Sequence, residues 1–246
     1  MSLTAFPTAS RNLLAASLPT RVAQLRGDNE LAAVWIPASD PWFEVLAEIE
    51  TSSFPEVAGL FDDPEANFEF LVMLGGPDRG THQVLHTMRV SFPSAGRPCF
   101  MLRDLVASGQ LDQQELDESL ESRGYRSDGF LGVESSSRVQ PLSTAGSCAL
   151  PAYSMVLDRL QRLGMDGAVA HQNAAARRSF SRIGMETEPI LLERRVQTPD
   201  GHGSVDSRYE PRLIPATPRV QEALRLPNKS VSRIVRVDGD WMLAPG

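Results

Sequence analysis

The sequence of 246 residues predicts an α/β protein in which helices cover both faces of one central, mostly antiparallel sheet. The first observation that predicts this fold class is the order of elements. Short apolar runs typical of strands alternate with segments whose apolar residues recur at helical spacing. A second is the turn signal GGPD at residues 75–78, which lies between two of these runs and predicts an antiparallel pair. The length also suffices to bury a sizeable core, and the composition is that of an ordinary soluble globular protein.

Local signals predict the elements of the first half. Residues 10–26 have roughly helix-spaced apolar side chains interrupted by Pro19, and they predict a helical arm. Asp40 and Pro41 suit the N-cap and first position of a helix that runs through Ile49. The remaining predictions for this half are strands at residues 31–36, 68–74 and 83–92, a loop or short helix at residues 55–67, and one or two helices between residues 100 and 120.

In the second half, a strand at residues 129–139 carries Glu134 at its middle. A short buried strand at residues 167–170 leads to Asn173, which suits the N-cap of a helix that ends near Gly184. The other predictions are a loop of small residues at 141–148, an amphipathic helix at 150–163, a strand at 190–196, a polar loop at 198–207, and a tail at 212–241 with a helix and a final strand. The order suggests an N-terminal helical arm (1–30), a core (31–196) and a C-terminal extension (197–246).

Bulk properties exclude several classes of function. The net charge of −7 argues against a general nucleic-acid binder, whose phosphate contacts need a basic surface. No apolar run is long enough to span a bilayer, and prolines break the N-terminal segment where a signal peptide would need a continuous apolar stretch. The two cysteines have no metal-type spacing and no disulfide framework, so we expect a cytoplasmic protein without nucleic-acid or membrane partners.

Residues 168–185 form a strand–Asn–helix–Gly unit. The spacing of Asn173, Ala176, Phe180 and Gly184–Met185 resembles the last conserved motif of the GCN5-related N-acetyltransferase (GNAT) superfamily, in which a tyrosine occupies the place of Phe180. The resemblance implies a GNAT-like acyltransferase fold and assigns Asn173 and Phe180 to the donor-binding site. In the family the tyrosine can protonate the leaving thiolate, whereas phenylalanine cannot, so the acid would be water, another residue or absent.

The loop before the amphipathic helix lies where GNAT proteins hold the pyrophosphate of coenzyme A. Backbone N–H groups at the start of a helix can bind phosphates. The resemblance therefore implies cofactor-binding roles for five small residues, although they include one glycine and no basic residue: Ser143, Thr144, Ala145, Gly146 and Ser147.

A second resemblance concerns residues 61–64 and 88–102, which are similar to segments of the acyl-homoserine-lactone (autoinducer) synthases. Glu134 and Arg138 resemble the Glu…Arg pair of that branch with one more residue between them, while its N-terminal signature is not evident. Those synthases and the related N-acyl amino acid synthases are GNAT-fold enzymes that take acyl chains from acyl carrier protein. The two resemblances together cover roughly residues 31–196.

Glu134 is the candidate catalytic base, since amine acylation needs a group that removes a proton; alternatively it is a strand residue facing solvent. Arg89 is a candidate substrate-binding residue, because a guanidinium binds a carboxylate with two hydrogen bonds, and the resemblance implies a substrate-binding role for Arg138 as well. For Arg89 the alternative is an ordinary ion pair on the outside of a strand. His171 lies at the carboxyl end of a strand, where it can face a ligand or serve in loop packing.

Other candidates are weaker. Arg177 and Arg178 could face an acidic carrier protein or lie on a solvated helix face. His82 and His86 share a strand face without a third ligand, so no metal site is predicted. Cys148 is interpreted as a packing residue.

The sequence as a whole predicts an N-acyltransferase that moves an acyl group from acyl carrier protein phosphopantetheine or acyl-CoA to a small-molecule amine. The alternative is a catalytically silent GNAT-like module that binds a ligand or a partner.

Overall fold

The computed structural model describes residues 31–53, 63, 66–78, 81–94, 96–138, 148–192, 196, 198–199, 205–206, 209–229, 231–237 and 240–243. The predicted N-terminal arm and the small-residue loop, including residues 143–147, lie outside the described residues.

The described elements alternate between strands and helices. The strands are β1 (Leu31–Pro37), β2 (Asn67–Asp78), β3 (Thr81–Phe92), β4 (Phe130–Arg138), β5 (Gly167–Asn173), β6 (Glu188–Pro189), β7 (Thr198–Pro199), β8 (Val205–Asp206), β9 (Tyr209–Pro215), β10 (Val231–Val237) and β11 (Asp240–Leu243). The helices are α1 (Trp42–Ser53), α2 (Phe100–Ala107), α3 (Gln113–Glu121), α4 (Ala149–Leu163), α5 (Ala174–Arg182) and α6 (Pro218–Lys229), with a 3₁₀ turn at Ser127–Gly129.

Nine of these strands form one sheet in the order β11-β10-β1-β2-β3-β4-β5-β9-β6, while β7 and β8 pair with each other. Neighbours in the large sheet run antiparallel except for β1 with β10 and β4 with β5, which are parallel. The segment after residue 208 thus adds strands to both halves of the sheet. The predicted fold class, a mixed and mostly antiparallel sheet with helices on both faces, is confirmed.

Alternation of side chains along the strands assigns the helices to two faces. On one face, which we call the α4 face, β-strand residues such as Leu131 and Ala170 pack with α4, Phe180 of α5 and Val220 of α6. On the other, which we call the α1 face, α1 packs against β1 and β2, and α2 and α3 pack against Phe130 and Val169. Each large apolar side chain buried in these layers contributes about 1.5–3 kcal/mol of burial free energy.

The two parallel strands at the centre of the sheet separate partway along their length. The described ladder between β4 and β5 begins at Phe130 and Gly167 and ends at Val133 and Ala170. Beyond that point β4 continues beside β3 as far as Arg138, and β5 continues beside β9 as far as Asn173. The result is a gap in the sheet, bordered by residues 134–138 on one side and 171–173 on the other.

Several predicted elements are confirmed with small changes of boundary. Asp40 accepts from the backbone N–H of Trp42 at 3.0 Å at the start of α1, and Asn173 Oδ1 accepts from the N–H of Ala176 at 2.9 Å at the start of α5. Gly184, which follows α5, has a φ of 78°, a left-handed conformation that glycine adopts without strain.

Two local predictions were wrong. Residues 75–78, predicted to form a turn, are instead the end of β2. They stay paired with β3 because the register of the two strands shifts between Gly75 and Asp78. The strand predicted at 190–196 is instead the two-residue β6 at Glu188–Pro189, followed by bends at residues 190–192. The chain turns there because the carbonyl of Ile190 accepts from Ser119 and Arg123 of the α3 region rather than from β9.

Within the described ranges, no helix has both the length and the apolar character that crossing a bilayer requires.

Candidate active site

The site is built around a β-bulge on β4. Arg89 pairs with Ser135 and Val90 pairs with Val133, so Glu134 is the extra residue between two adjacent pairs. A bulge bends the strand and redirects a side chain, and such irregularities are frequent beside active sites. The bulge lies immediately after the last pair between β4 and β5, and it therefore places Glu134 at the mouth of the gap.

Two hydrogen-bond donors hold the carboxylate of Glu134 on the α1 face. The Ser91 hydroxyl on β3 donates to Oε1, and the backbone N–H of Met101 at the start of α2 donates to the same oxygen at 3.2 Å. The Ser91 hydroxyl in turn accepts from the N–H of Phe100 at 3.2 Å. Gly132 makes this arrangement possible, because a Cβ there would lie 2.6 Å from Ser91 Oγ and closer still to Glu134 Oε1.

The environment of Glu134 raises its pKa to about 7. Desolvation is the largest cause, and Asp104 on α2 adds to it, while the hydrogen bond from Ser91, the charge of Arg89 and the N–H of Met101 act in the opposite direction. A carboxyl group with this pKa exchanges protons readily at neutral pH, as a general base requires.

Cys99 lies close to the same carboxyl group without sharing its role. It is fully buried, and burial together with the neighbouring Glu134 raises the pKa of its thiol to about 12. A protonated thiol is a poor nucleophile, so Cys99 is not reactive at neutral pH.

Arg89 lies beneath Glu134 in the protein interior. Its side chain is 1% exposed, and its Nε is 3.3 Å from Oε2 of Glu50 on α1, whose side chain is also 1% exposed. The guanidinium also stacks over the ring of Phe68 at 5.0 Å. Desolvation raises the pKa of Glu50, and Arg89 and a hydrogen bond with Ser135 partly offset this effect. This placement differs from a substrate ligand on the surface: Arg89 acts on Glu134 through its charge.

Arg138 ends β4 opposite His86 on β3, and its side chain lies outside the described part of the structure. His86 is buried, and its Nε2 is 2.9 Å from the hydroxyl of Ser136. Across the described ranges, no group of three or more histidine, cysteine, aspartate or glutamate side chains lies together as a metal site would require.

On β5, the structure separates the predicted donor-binding residues. Asn173 caps α5 and thus uses its side-chain oxygen within the chain. Phe180 is 4% exposed and packs edge-on against Tyr153 of α4, with ring centroids 4.9 Å apart. Desolvation raises the pKa of Tyr153, whose hydroxyl therefore stays protonated. Phe180 belongs to the core of the α4 face rather than to an exposed surface.

His171 borders the gap on the same face as Glu134, because side chains alternate along β5 and Val169 packs with α2 and α3. Its imidazole is exposed to solvent, while the protein surrounding it lowers its pKa to about 4 by desolvation. With this pKa, His171 is neutral at physiological pH. Of the two arginines on α5, Arg177 pairs with Glu210 of β9 at 2.8 Å and Arg178 is exposed.

The sequence interpretation missed Ser91, Gly132, Glu50 and Gln172. Ser91 and Gly132 occupy paired positions on β3 and β4, so a correct register would have placed them beside Glu134. Gln172 is fully buried at the end of β5, where a strand extended beyond Ala170 would have placed it at the gap.

Comparisons with known proteins were made by sequence and by structure. No protein-family model and no curated protein matches the sequence. The structure is similar to that of BjaI, a CoA-dependent acyl-homoserine lactone synthase determined with SAM and isopentyl-CoA, with 12% sequence identity, a TM-score of 0.50, and coverage of 85% of this chain and 96% of that chain.

Other solved structures were also matched. The acyl-homoserine lactone synthase LasI has 12% identity and a TM-score of 0.48 over 80% of this chain and 95% of its own. FeeM, an N-acyl amino acid synthase from uncultured soil microbes, has 12% identity and a TM-score of 0.46 over 78% of this chain and 93% of its own. By its similarity to BjaI, the chain has the GNAT-like fold of the acyl-homoserine lactone synthases, the branch that its own sequence motifs resemble.

Proposed function

We propose that the protein is an N-acyltransferase that moves an acyl group from a thioester donor, acyl-CoA or acyl carrier protein, to the nitrogen of a small amine. The observation that carries the proposal is Glu134 on its bulge, a carboxyl group with a pKa of about 7 at the mouth of the gap between β4 and β5. The fold shared with a CoA-dependent acyl-homoserine lactone synthase supports it.

The first step is removal of a proton from the ammonium group of the acceptor. Glu134 accepts this proton, directly or through a water molecule, and the neutral amine then attacks the carbonyl carbon of the thioester. The carboxylate is ready for this because Ser91 and Met101 hold its Oε1 in place. The second oxygen is the one that takes the proton.

The second step is collapse of the tetrahedral intermediate. Alternate backbone N–H groups of a strand point to opposite edges, so some N–H groups of residues 134–138 point into the gap, where β5 no longer pairs with them. These groups supply the fixed donors that an oxyanion needs. The C–S bond then breaks, the attacking nitrogen loses its second proton to water as the amide forms, and the thiolate of the donor takes its proton from water, since Phe180 has none to give.

Further residues complete the proposed site. Arg138, on the strand that carries Glu134, binds a carboxylate of the acceptor, and residues 143–147 with Asn173 receive the pyrophosphate end of the donor. Arg178 on the exposed side of α5 faces an acidic carrier protein. The core at residues 31–196 carries all of these groups.

Thermal unfolding with candidate donors tests the proposal. Acetyl-CoA, a long-chain acyl-CoA and an acylated carrier protein are each added in excess, and at least one is expected to raise the melting temperature. Glu134→Gln should then retain donor binding and lose roughly 10²- to 10⁴-fold in turnover, the usual contribution of a general base. Glu121→Gln, at an exposed position on α3, is the matched control and should behave as wild type.

Two results would contradict the proposal. If no donor changes the melting temperature, the protein is a silent binding module rather than a transferase. If a donor binds and Glu134→Gln turns over at the wild-type rate, Glu134 is not the base.

A further inference from the structure

Three ionisable side chains lie close together on the α1 face: Arg89, Glu50 and Glu134. Arg89 and Glu50 are each 1% exposed, and Nε of Arg89 lies 3.3 Å from Oε2 of Glu50. The charge of Arg89 also acts on Glu134. One guanidinium thus serves two carboxyl groups. Because a buried charge is costly without a counterion, the way this positive charge is divided between them decides how strongly each one holds a proton.

Glu50 occupies a position on α1 that suits an apolar residue. It follows Leu46 by four residues and adjoins Ile49, and both of these side chains are almost fully buried against β1 and β2. An apolar side chain would serve this packing, since replacing a buried ion pair by apolar residues is often neutral or stabilising. The pair between Glu50 and Arg89 is therefore better explained by its effect on a neighbouring group than by stability.

That neighbouring group is Glu134. Arg89 pairs across the ladder with Ser135, the residue that follows Glu134 on β4, and Ser135 forms a hydrogen bond with Glu50. The two carboxyl groups thus approach the same short stretch of the ladder from α1 and from the bulge. They compete there for the charge of Arg89.

The other titratable groups on this side of the site do not take the place of Arg89. Cys99 precedes α2 and His171 lies on β5, and both are uncharged at neutral pH. Asp104 on α2 is an acid, and its effect is to raise the pKa of Glu134. Arg89 is the cation whose charge acts on both carboxyl groups.

We infer that Glu50 is a positioning residue of the site, which engages Arg89 and so leaves the carboxylate of Glu134 able to take up a proton. Its importance for catalysis rests on the proposed function, in which Glu134 removes a proton from the acceptor. Without Glu50, the charge of Arg89 stabilises the ionised form of Glu134 and makes it a weaker base. Glu50 exerts this effect from α1 without touching either reactant.

Urea unfolding measures the effect without relying on activity. In each background, the unfolding free energy is compared with that of the same protein carrying Glu134→Gln, and the pH dependence of the difference gives the pKa of Glu134. The backgrounds are wild type, Glu50→Gln, the double variant Glu50→Gln/Arg89→Met, and Glu44→Gln. The last is the matched control, because it makes the same change at an exposed position of α1.

Glu50→Gln should lower the pKa of Glu134 by roughly one unit or more, because a nearby cation has lost its other partner. The double variant should return this pKa to the wild-type value or above it, since the cation is removed as well. Glu44→Gln should leave the pKa unchanged. In turnover with an acyl donor, the pH at which kcat/KM is half-maximal should fall in Glu50→Gln by the same interval.

Two results would overturn the inference. One is a pKa of Glu134 that agrees within about 0.3 units between wild type and Glu50→Gln. The other is an equal decrease in the single and double variants, which would assign the effect to packing. A lowered pKa with an unchanged pH profile of turnover would support the role of Glu50 and contradict that of Glu134 as the base.

If either variant does not fold, the ¹³C carboxyl signals of wild type decide. Glu50 must be ionised to engage Arg89, so an ionised Glu50 at about pH 7.5 supports the inference. A protonated Glu50 at that pH overturns it.

Discussion

The raised pKa of Glu134 predicts a specific dependence of stability on pH. The group has a pKa of about 7 in the folded protein against a usual value of 4.5, so the folded state holds this proton more tightly than the unfolded state does. The contribution of Glu134 to wild-type stability therefore falls as the pH rises through this interval, and nearly all of the penalty is present above pH 7. Glu134→Gln removes the ionisation, while the amide oxygen can still accept from Ser91 and Met101.

The size of the effect follows from the two pKa values. One pKa unit corresponds to about 1.4 kcal/mol, so the interval from 4.5 to about 7 is worth about 3.5 kcal/mol of unfolding free energy. At about pH 5 only a small part of this penalty is present, and at about pH 8 all of it is present. From about pH 5 to about pH 8, the unfolding free energy of Glu134→Gln should therefore rise by about 2–3 kcal/mol relative to that of wild type.

Urea unfolding followed by tryptophan fluorescence measures this difference for wild type, Glu134→Gln and the control Glu121→Gln. The control should follow the wild-type profile, because residue 121 is exposed. A difference between Glu134→Gln and wild type that stays constant within about 0.5 kcal/mol from pH 5 to pH 8 would refute the reasoning. Glu134 would then be an ordinary carboxylate, without the proton affinity that the proposed mechanism needs.

Two further predictions concern the groups around Glu134. Gly132→Ala should displace the carboxyl group of Glu134, since the new Cβ would lie 2.6 Å from Ser91 Oγ. Turnover should then fall roughly tenfold or more while donor binding is retained. Unchanged turnover would mean that the position of Glu134 is not critical. Arg89→Met should destabilise the fold by about 3–5 kcal/mol in urea unfolding, because Glu50 keeps a buried charge without a counterion, and Glu50→Gln in the same chain should recover part of this loss. Additive effects of the two substitutions would contradict the ion pair.

Sequence reasoning succeeded where the cause of a feature is local. Asp40 and Asn173 cap helices through hydrogen bonds to residues two or three positions away, and such contacts depend on the residue type and its immediate neighbours. The bulge at Glu134 depends on the register against β3, and the ion pair of Arg89 depends on α1. Both contacts join residues that are distant in the sequence, and no local pattern encodes them.

The end of β5 is a second feature that no local sequence pattern could predict. Residues 171–173 were interpreted as the junction between a strand and a helix, yet they remain in the strand because β9, much later in the chain, pairs with them. This distant pairing extends β5 past the point where β4 leaves it. It thereby places His171 on one face of the gap and Gln172 on the other.

Phenylalanine at position 180 is compatible with the proposed chemistry, because the proton that the leaving thiolate gains and the proton that the ammonium acceptor loses place different demands on the protein. A thiol has a pKa of about 8.5, so a thiolate is a stable leaving group near neutral pH and needs little help from an acid. An ammonium acceptor, with a pKa near that of lysine at about 10.4, is almost fully protonated under the same conditions and cannot attack until a base removes a proton. The base is therefore the more demanding requirement of the proposed reaction, for which Glu134 on its bulge is our candidate, while Phe180 packs against Tyr153 in the core of the α4 face.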